Sequence, residues 1–172
     1  VIYELCPACE RIIVELWGES KAADKQDDYK ALVYPGGISR IPLSSDVPET
    51  LAQDYREACL VLNDSPKASA ALSRRCLQHL LREKAGIKQS DLSKEIQQVL
   101  DSKQLPSFLA DAIDGVRNIG NFAAHPIKST SSGEIVDVEP GEAEWLLDTL
   151  EGLFDFYFVL PAQQKAKRDK LN

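Results

Sequence analysis

One stretch gathers the residue types that bind phosphate and move protons: Val116-Arg117-Asn118-Ile119-Gly120-Asn121-Phe122-Ala123-Ala124-His125-Pro126. It holds an arginine, two asparagines and one of the chain's two histidines. Proline disfavours helical geometry at the residue before it, so His125 is expected at a helix end. There the negative end of the helix dipole favours imidazolium. A charged histidine beside a guanidinium suits a phosphate. The same residues also describe a solvated helix face whose histidine caps the last carbonyls, and residue types alone leave both readings open.

A helix must position this stretch. Leu109, Ala112, Val116, Ile119 and Ala123 recur at steps of three and four, the mark of a buried stripe. Asp111, Asp114, Asn118, Asn121 and His125 follow the same rule on the opposite side, with Arg117 on the flank. At about 100° and 1.5 Å per residue, Asn118 and His125 lie nearly in line roughly 10 Å apart, and Arg117 stands about 80° and roughly 12 Å from His125. An arginine side chain spans most of that gap.

Four further helices are expected around it. Asp46-Val47-Pro48-Glu49 has the form of a capping box before Leu51, Tyr55, Ala58 and Leu62. Ser65-Pro66 caps a second helix that buries Leu72, Cys76, Leu77, Leu80 and Leu81 and ends near Gly86. Its outer face carries Arg74, Arg75, Gln78, His79 and Arg82. A third opens near Ser90-Asp91 with Leu92, Ile96, Val99 and Leu100 inward, and Leu105-Pro106 starts the helix ending at His125. Residues 126–138 form an irregular excursion with a short strand at Ile135-Val136. The last helix opens at Pro140, buries Ala143, Leu146, Leu147, Leu150, Phe154, Tyr157 and Leu160, and stops before Pro161. Trp145, Phe156 and Val159 widen its apolar surface beyond one buried face, which points to a second subunit or a neighbouring helix. The expected organisation is a strand-rich segment over 1–45, a helical bundle of about five helices over 46–161 and a polar tail over 162–172.

Before residue 40 the pattern changes to short strands at Val1–Leu5, Arg11–Trp17 and Ala31–Tyr34, with a loop over Gly18–Lys30 and a turn at Pro35–Gly37. Between the first two strands lies Cys6-Pro7-Ala8-Cys9, half of a zinc-ribbon-like knuckle, since two thiolates at this spacing grip one side of a tetrahedral ion. No second pair follows. Cys6 and Cys9 are therefore expected to bind zinc only with ligands upstream of Val1, in a longer protein of which this chain, lacking methionine, is a piece. Without that context no cofactor is expected.

Hydrophobic residues at 44% and charged ones at 27% indicate a globular chain, and no apolar run approaches a membrane span. A cytoplasmic location is expected. The net charge of −7 argues against non-specific coating of nucleic acid. Its distribution is uneven: residues 1–64 carry −6, residues 65–125 carry +3 and residues 126–172 carry −4. Glycine-rich phosphate loops, H-E-x-x-H helices and G-x-S-x-G elbows are absent. Cys59 and Cys76 fall on buried faces, which raises a thiol's pKa and disfavours a nucleophile.

The C-P-x-C knuckle, the helix P-x-A-x-x-x-L-x-R-R, the motif R-x-x-G-N-x-x-A-H-P and a final acidic-aromatic helix together resemble an uncharacterised bacterial branch of the HEPN superfamily. The most specific match is Arg117, Gly120, Asn121, Ala124, His125 and Pro126. The resemblance implies a HEPN-like bundle, a homodimer and an association with restriction and phage-defence proteins. Many such proteins are metal-independent endoribonucleases, and the resemblance then assigns phosphate binding to Arg117, its orientation to Asn118 and acid–base catalysis to His125. Asn121, Asp114, Arg74 and Arg75 are the candidate binding residues for RNA or a partner protein. The superfamily separates the arginine from the histidine by four to six residues, whereas seven intervene here, Asn118 through Ala124. The function expected is accordingly a non-catalytic RNA- or protein-binding module of a defence system, with the endoribonuclease across a homodimer as the alternative.

Overall fold

The computed structural model describes residues 2–5, 12–19, 28–34, 40, 42–124 and 140–171. Contacts divide the chain into two units, residues 1–39 and residues 40–172.

In the first unit, runs of branched and aromatic residues form three antiparallel strands in sequence order, β1 (Ile2–Leu5), β2 (Ile12–Glu19) and β3 (Asp28–Tyr34). Ile2 faces Glu15 and Leu5 faces Ile12, and the register of β2 against β3 slips between Val14 and Glu15. The ladder runs further than the apolar pattern predicts, since Gly18 pairs with Tyr29 and Glu19 with Asp28 inside the stretch expected to be a loop. Backbone bonding across a hairpin tolerates polar side chains wherever a strand face meets water. Residues 20–27, the turn at Pro35–Gly37 and the pair Cys6 and Cys9 lie outside the described residues.

The second unit is a mainly helical bundle: α1 (Glu49–Val61), α2 (Pro66–Lys84), α3 (Leu92–Ser102), α4 (Ser107–Ala124), α5 (Pro140–Phe154), a π-helical turn (Asp155–Val159) and α6 (Leu160–Asp169). Its first residue is Arg40. The Arg40 guanidinium donates to Asp148 at 2.6 Å, Glu151 at 2.7 Å and the Glu144 carbonyl at 3.3 Å, and so binds the approach to α1 onto α5. Burial opposes the charge, but these two carboxylates carry the Arg40 pKa above its ordinary value.

Two of the predicted caps form. Ser65 Oγ accepts from the Ala68 N–H at 3.2 Å and the Asp91 carboxylate from the Lys94 N–H at 3.0 Å. The capping box at Asp46 does not. Helix α1 begins later, with Pro48 as its N-cap and no side-chain cap. Asp46 instead accepts from the Ser44 hydroxyl at 3.0 Å, and Glu49 pairs with Arg56.

Helix α2 is the hub, packing against α1, α3, α4 and α5. Leu51, Tyr55, Leu77, Leu80, Leu81, Ile96, Ile113, Leu147 and Phe154 are all fully buried. Beside this apolar core sits a buried carboxylate with 0% exposure, Glu95. Its Oε1 accepts from Arg82 Nε at 2.9 Å and from the Ser90 N–H at 2.7 Å, while Gln78 and Arg82 both donate to the Ser90 carbonyl. Burial pushes the Glu95 pKa up, yet Arg82 and the Ser90 N–H outweigh it and hold it below the ordinary carboxylate value.

The last helix departs from the predicted pattern. Leu153 and Phe158 are buried, whereas Leu160 is 49% exposed, and the chain continues as α6 through Pro161 where a stop and a polar tail are expected from the sequence. Proline removes the N–H that would bond the Tyr157 carbonyl, and the five-residue π turn falls where that bond would close. Its extra residue shifts the face that follows.

Glu95→Gln leaves Arg82 without its countercharge in a buried site and is expected to lower unfolding stability by about 3 kcal/mol, measured by urea denaturation at neutral pH. A carboxylate whose folded pKa is depressed contributes stability above its unfolded pKa of about 4.3 and loses it as pH falls through the folded value. The variant should therefore lose less of its stability between neutral and acid pH than the natural chain.

Candidate functional site at the junction of α2, α3 and α4

The basic face of α2 divides between two sides of the bundle. Arg74 turns toward α4 and donates from Nη1 to the Val116 carbonyl at 3.4 Å, and burial lowers its pKa. Arg75 turns toward α1, where its Nη2 lies 3.2 Å from Asp54 Oδ1. His79 joins the same carboxylate, with Nδ1 3.4 Å from Asp54 Oδ2. Gln78 and Arg82 belong to the Glu95 cluster already described. Of the residues predicted to bind together, Arg74 lies beside α4 and Arg75 does not share its partner.

Arg117 emerges from the turn of α4 next to Arg74's acceptor. Its Nη2 is 2.7 Å from Asp114 Oδ1, one helical turn back, and its Nη1 donates to Gln97 Oε1 on α3. The guanidinium is thus shared between a carboxylate on its own helix and an amide on the neighbouring one. Asn118 and Asn121 follow on α4. His125 lies outside the described residues, as does the predicted excursion over 126–138.

Helix α4 is held at this junction by close packing on α5. Gly115 lets the Trp145 indole approach, since a Cβ there would stand 3.3 Å from Trp145 Nε1. That nitrogen donates to the Ala112 carbonyl at 3.4 Å. At Gly152 the fit is tighter still, with Leu109 Cδ2 only 3.0 Å from where a Cβ would sit.

Two participants were not legible as such in the sequence. Gln97 sits on the polar face of α3 with nothing to distinguish it from Gln98. Asp54 gave a signal: it falls between Leu51, Tyr55 and Ala58 on the buried face of α1, and a carboxylate at an apolar position demands a partner. Between α1 and α2, Thr50, Leu51, His79, Arg82, Glu83 and Gln89 line an open cavity of about 480 Å³. Its arginine is already bound to Glu95.

The arrangement can orient an arginine at a helix surface. Asp114 sets a fixed negative charge beside that arginine, which repels a second anion. Among the described residues no three His, Cys, Asp or Glu side chains are grouped to hold a metal ion. The two described thiols are buried, which pushes the Cys59 pKa up and, with Asp54 nearby, the Cys76 pKa up to about 12.

Residues 56–172 match the family model described as a domain of unknown function, DUF4145. The match starts within α1 and takes in α2 to α6, including Arg74, Asp114 and Arg117. No curated protein and no solved structure matches the chain.

Cys59 and Cys76 are expected to resist alkylation by iodoacetamide at pH 8 in the folded chain and to react fully in urea, as read by peptide mass mapping. Rapid native labelling of Cys76 would contradict the buried assignment.

Proposed function

The chain belongs to the DUF4145 family, and from that premise we propose that it is a non-catalytic binding module of a bacterial restriction- or defence-associated system. In this reading the bundle is HEPN-like, works as a cytoplasmic homodimer, and takes protein ahead of RNA as its partner. The observation that carries the proposal is the pairing of Arg117. Its guanidinium is placed by Asp114 and Gln97 before any ligand arrives, and Arg74 is engaged by the Val116 carbonyl. A phosphate entering there would meet the Asp114 carboxylate as well as the guanidinium.

The remaining parts agree with an interaction role. The net charge of −7 disfavours RNA as a general ligand. No described helix is long and apolar enough to cross a membrane. Trp145 is 47% exposed on α5 although its ring also packs on α4, leaving indole surface for a second subunit.

The endoribonuclease reading requires Arg117 to leave Asp114 and face the phosphate while His125 takes the proton from the ribose 2′-hydroxyl, whose oxygen attacks that phosphate and expels the 5′-oxygen. Incubation of mixed RNA in EDTA with the natural chain, His125→Ala and Arg117→Ala separates the two. Intact RNA in every lane is expected. Metal-independent cutting by the natural chain, lost in both variants, would overturn the binding module and establish the enzyme.

A further inference from the structure

The thirty residues from Pro140 to Asp169 form one continuous helical rod about 45 Å long, made of α5, the π turn and α6. Its two ends differ in charge. From Pro140 to Asp155 the acidic groups are Glu142, Glu144, Asp148, Glu151 and Asp155, with no lysine or arginine. From Leu160 to Lys170 the basic groups are Lys165, Lys167, Arg168 and Lys170, against a single Asp169.

Among the described residues, the second half of the rod also buries nothing against the bundle. Helix α6 has no buried residue, and Leu160 at its start is half exposed. A ten-residue helix gains little stability from propensity alone and normally depends on packing an apolar face. Apolar groups that remain exposed or partly exposed on the rod are Trp145, which also packs on α4, Phe156, which also packs on the core, Val159 and Leu160. Charge and apolar surface together therefore select the partner: a helix of opposite polarity carrying the same stripe.

We propose that this rod pairs antiparallel with the same rod of a second copy of the chain, about a two-fold axis near Phe156. The inference rests on the homodimer reading above and adds the surface that forms it. An axis there sets Glu144 of one copy opposite Arg168 of the other, a contact that occurs twice, whereas Asp148 and Glu151 are already paired with Arg40 of their own chain. The apolar residues around the axis meet their own symmetry mates. A parallel pair would instead set acid against acid and base against base.

The test uses sedimentation equilibrium of the 172-residue chain at micromolar concentration, with circular dichroism to confirm that each variant folds. Glu144→Lys and Arg168→Glu should each weaken the dimer by about tenfold or more, because each places like charges opposite one another. Mixing the two variants should restore association, since the heterodimer sets the introduced lysine opposite the introduced glutamate and keeps the natural pair at the other contact. Leu160→Asp, at a position outside the folded core, should dissociate the dimer. A dimer indifferent to all three substitutions, or a mixture that fails to recover, would overturn the rod pairing and leave the homodimer reading intact. A natural chain that stays monomeric would overturn both.

Discussion

A carboxylate removed from water needs partners, and Glu95 obtains those on its Oε1 only if α2, α3 and the chain between them are in one arrangement, while its buried Oε2 has no hydrogen-bond partner among the described residues. Arg82 supplies the charge, the Ser90 N–H supplies a second donor, and Gln78 and Arg82 return to the Ser90 carbonyl. An unpaired ion in this position would cost several kcal/mol, more than any single apolar contact beside it. The direction of α3 is therefore fixed by a polar constraint rather than by the interchangeable packing of Leu92, Ile96 and Val99. That direction decides what α4 meets.

Helix α4 meets Gln97. Had α3 been rotated, Arg117 would project from the helix surface with Asp114 as its only partner, in an ion pair open to solvent and worth about 0.5 kcal/mol. With Gln97 present the guanidinium has an ion pair on its own helix, an acceptor on another and one orientation. The gain is chiefly in direction, because the pair remains partly exposed. The penalty falls on anion binding, since the group that aligns the arginine also repels phosphate. The same helix is pressed from the other side by Trp145 against Gly115, so its polar face is positioned from both flanks.

The helices were readable in the sequence because their apolar spacing is strict: Leu51, Tyr55 and Ala58 in α1, Leu77, Leu80 and Leu81 in α2, and Ile96 and Val99 in α3 are all buried as the pattern predicts. Caps were readable where one side chain serves one N–H, as at Ser65 and Asp91. The box at Asp46 misled because its register depended on where α1 starts, and the Arg40 clamp to α5 bears on that start from far along the chain. The site was legible in its residue types but not in its pairing. Spacing placed Asp114 one turn from Arg117, whereas Gln97 comes from another helix twenty residues away and leaves no local trace. The division of Arg74 from Arg75 was hidden for the same reason, as it turns on Asp54 of α1.

Pro161 shows how a local rule yields to a longer one. A proline inside a helix deletes one backbone bond and ordinarily ends the helix. Here the π turn over Asp155–Val159 relocates the disrupted turn so that Phe154 and Phe158 stay on the core, their ring centroids 6.4 Å apart, with Lys84 Nζ of α2 placed 4.6 Å from the Phe158 ring centroid. The accommodation keeps the helix running but turns Leu160 outward. Folding thus exchanges one buried leucine for a continuous rod that leaves the bundle with an apolar stripe and a basic end facing solvent. Burying Phe158 against the core offsets exposure of Leu160, since the ring covers more area than the leucine gives up. A break at Pro161 would have ended the rod before any of its lysines, so the same distortion that resolves the packing of the aromatic residues also sets the basic segment in line with the acidic one.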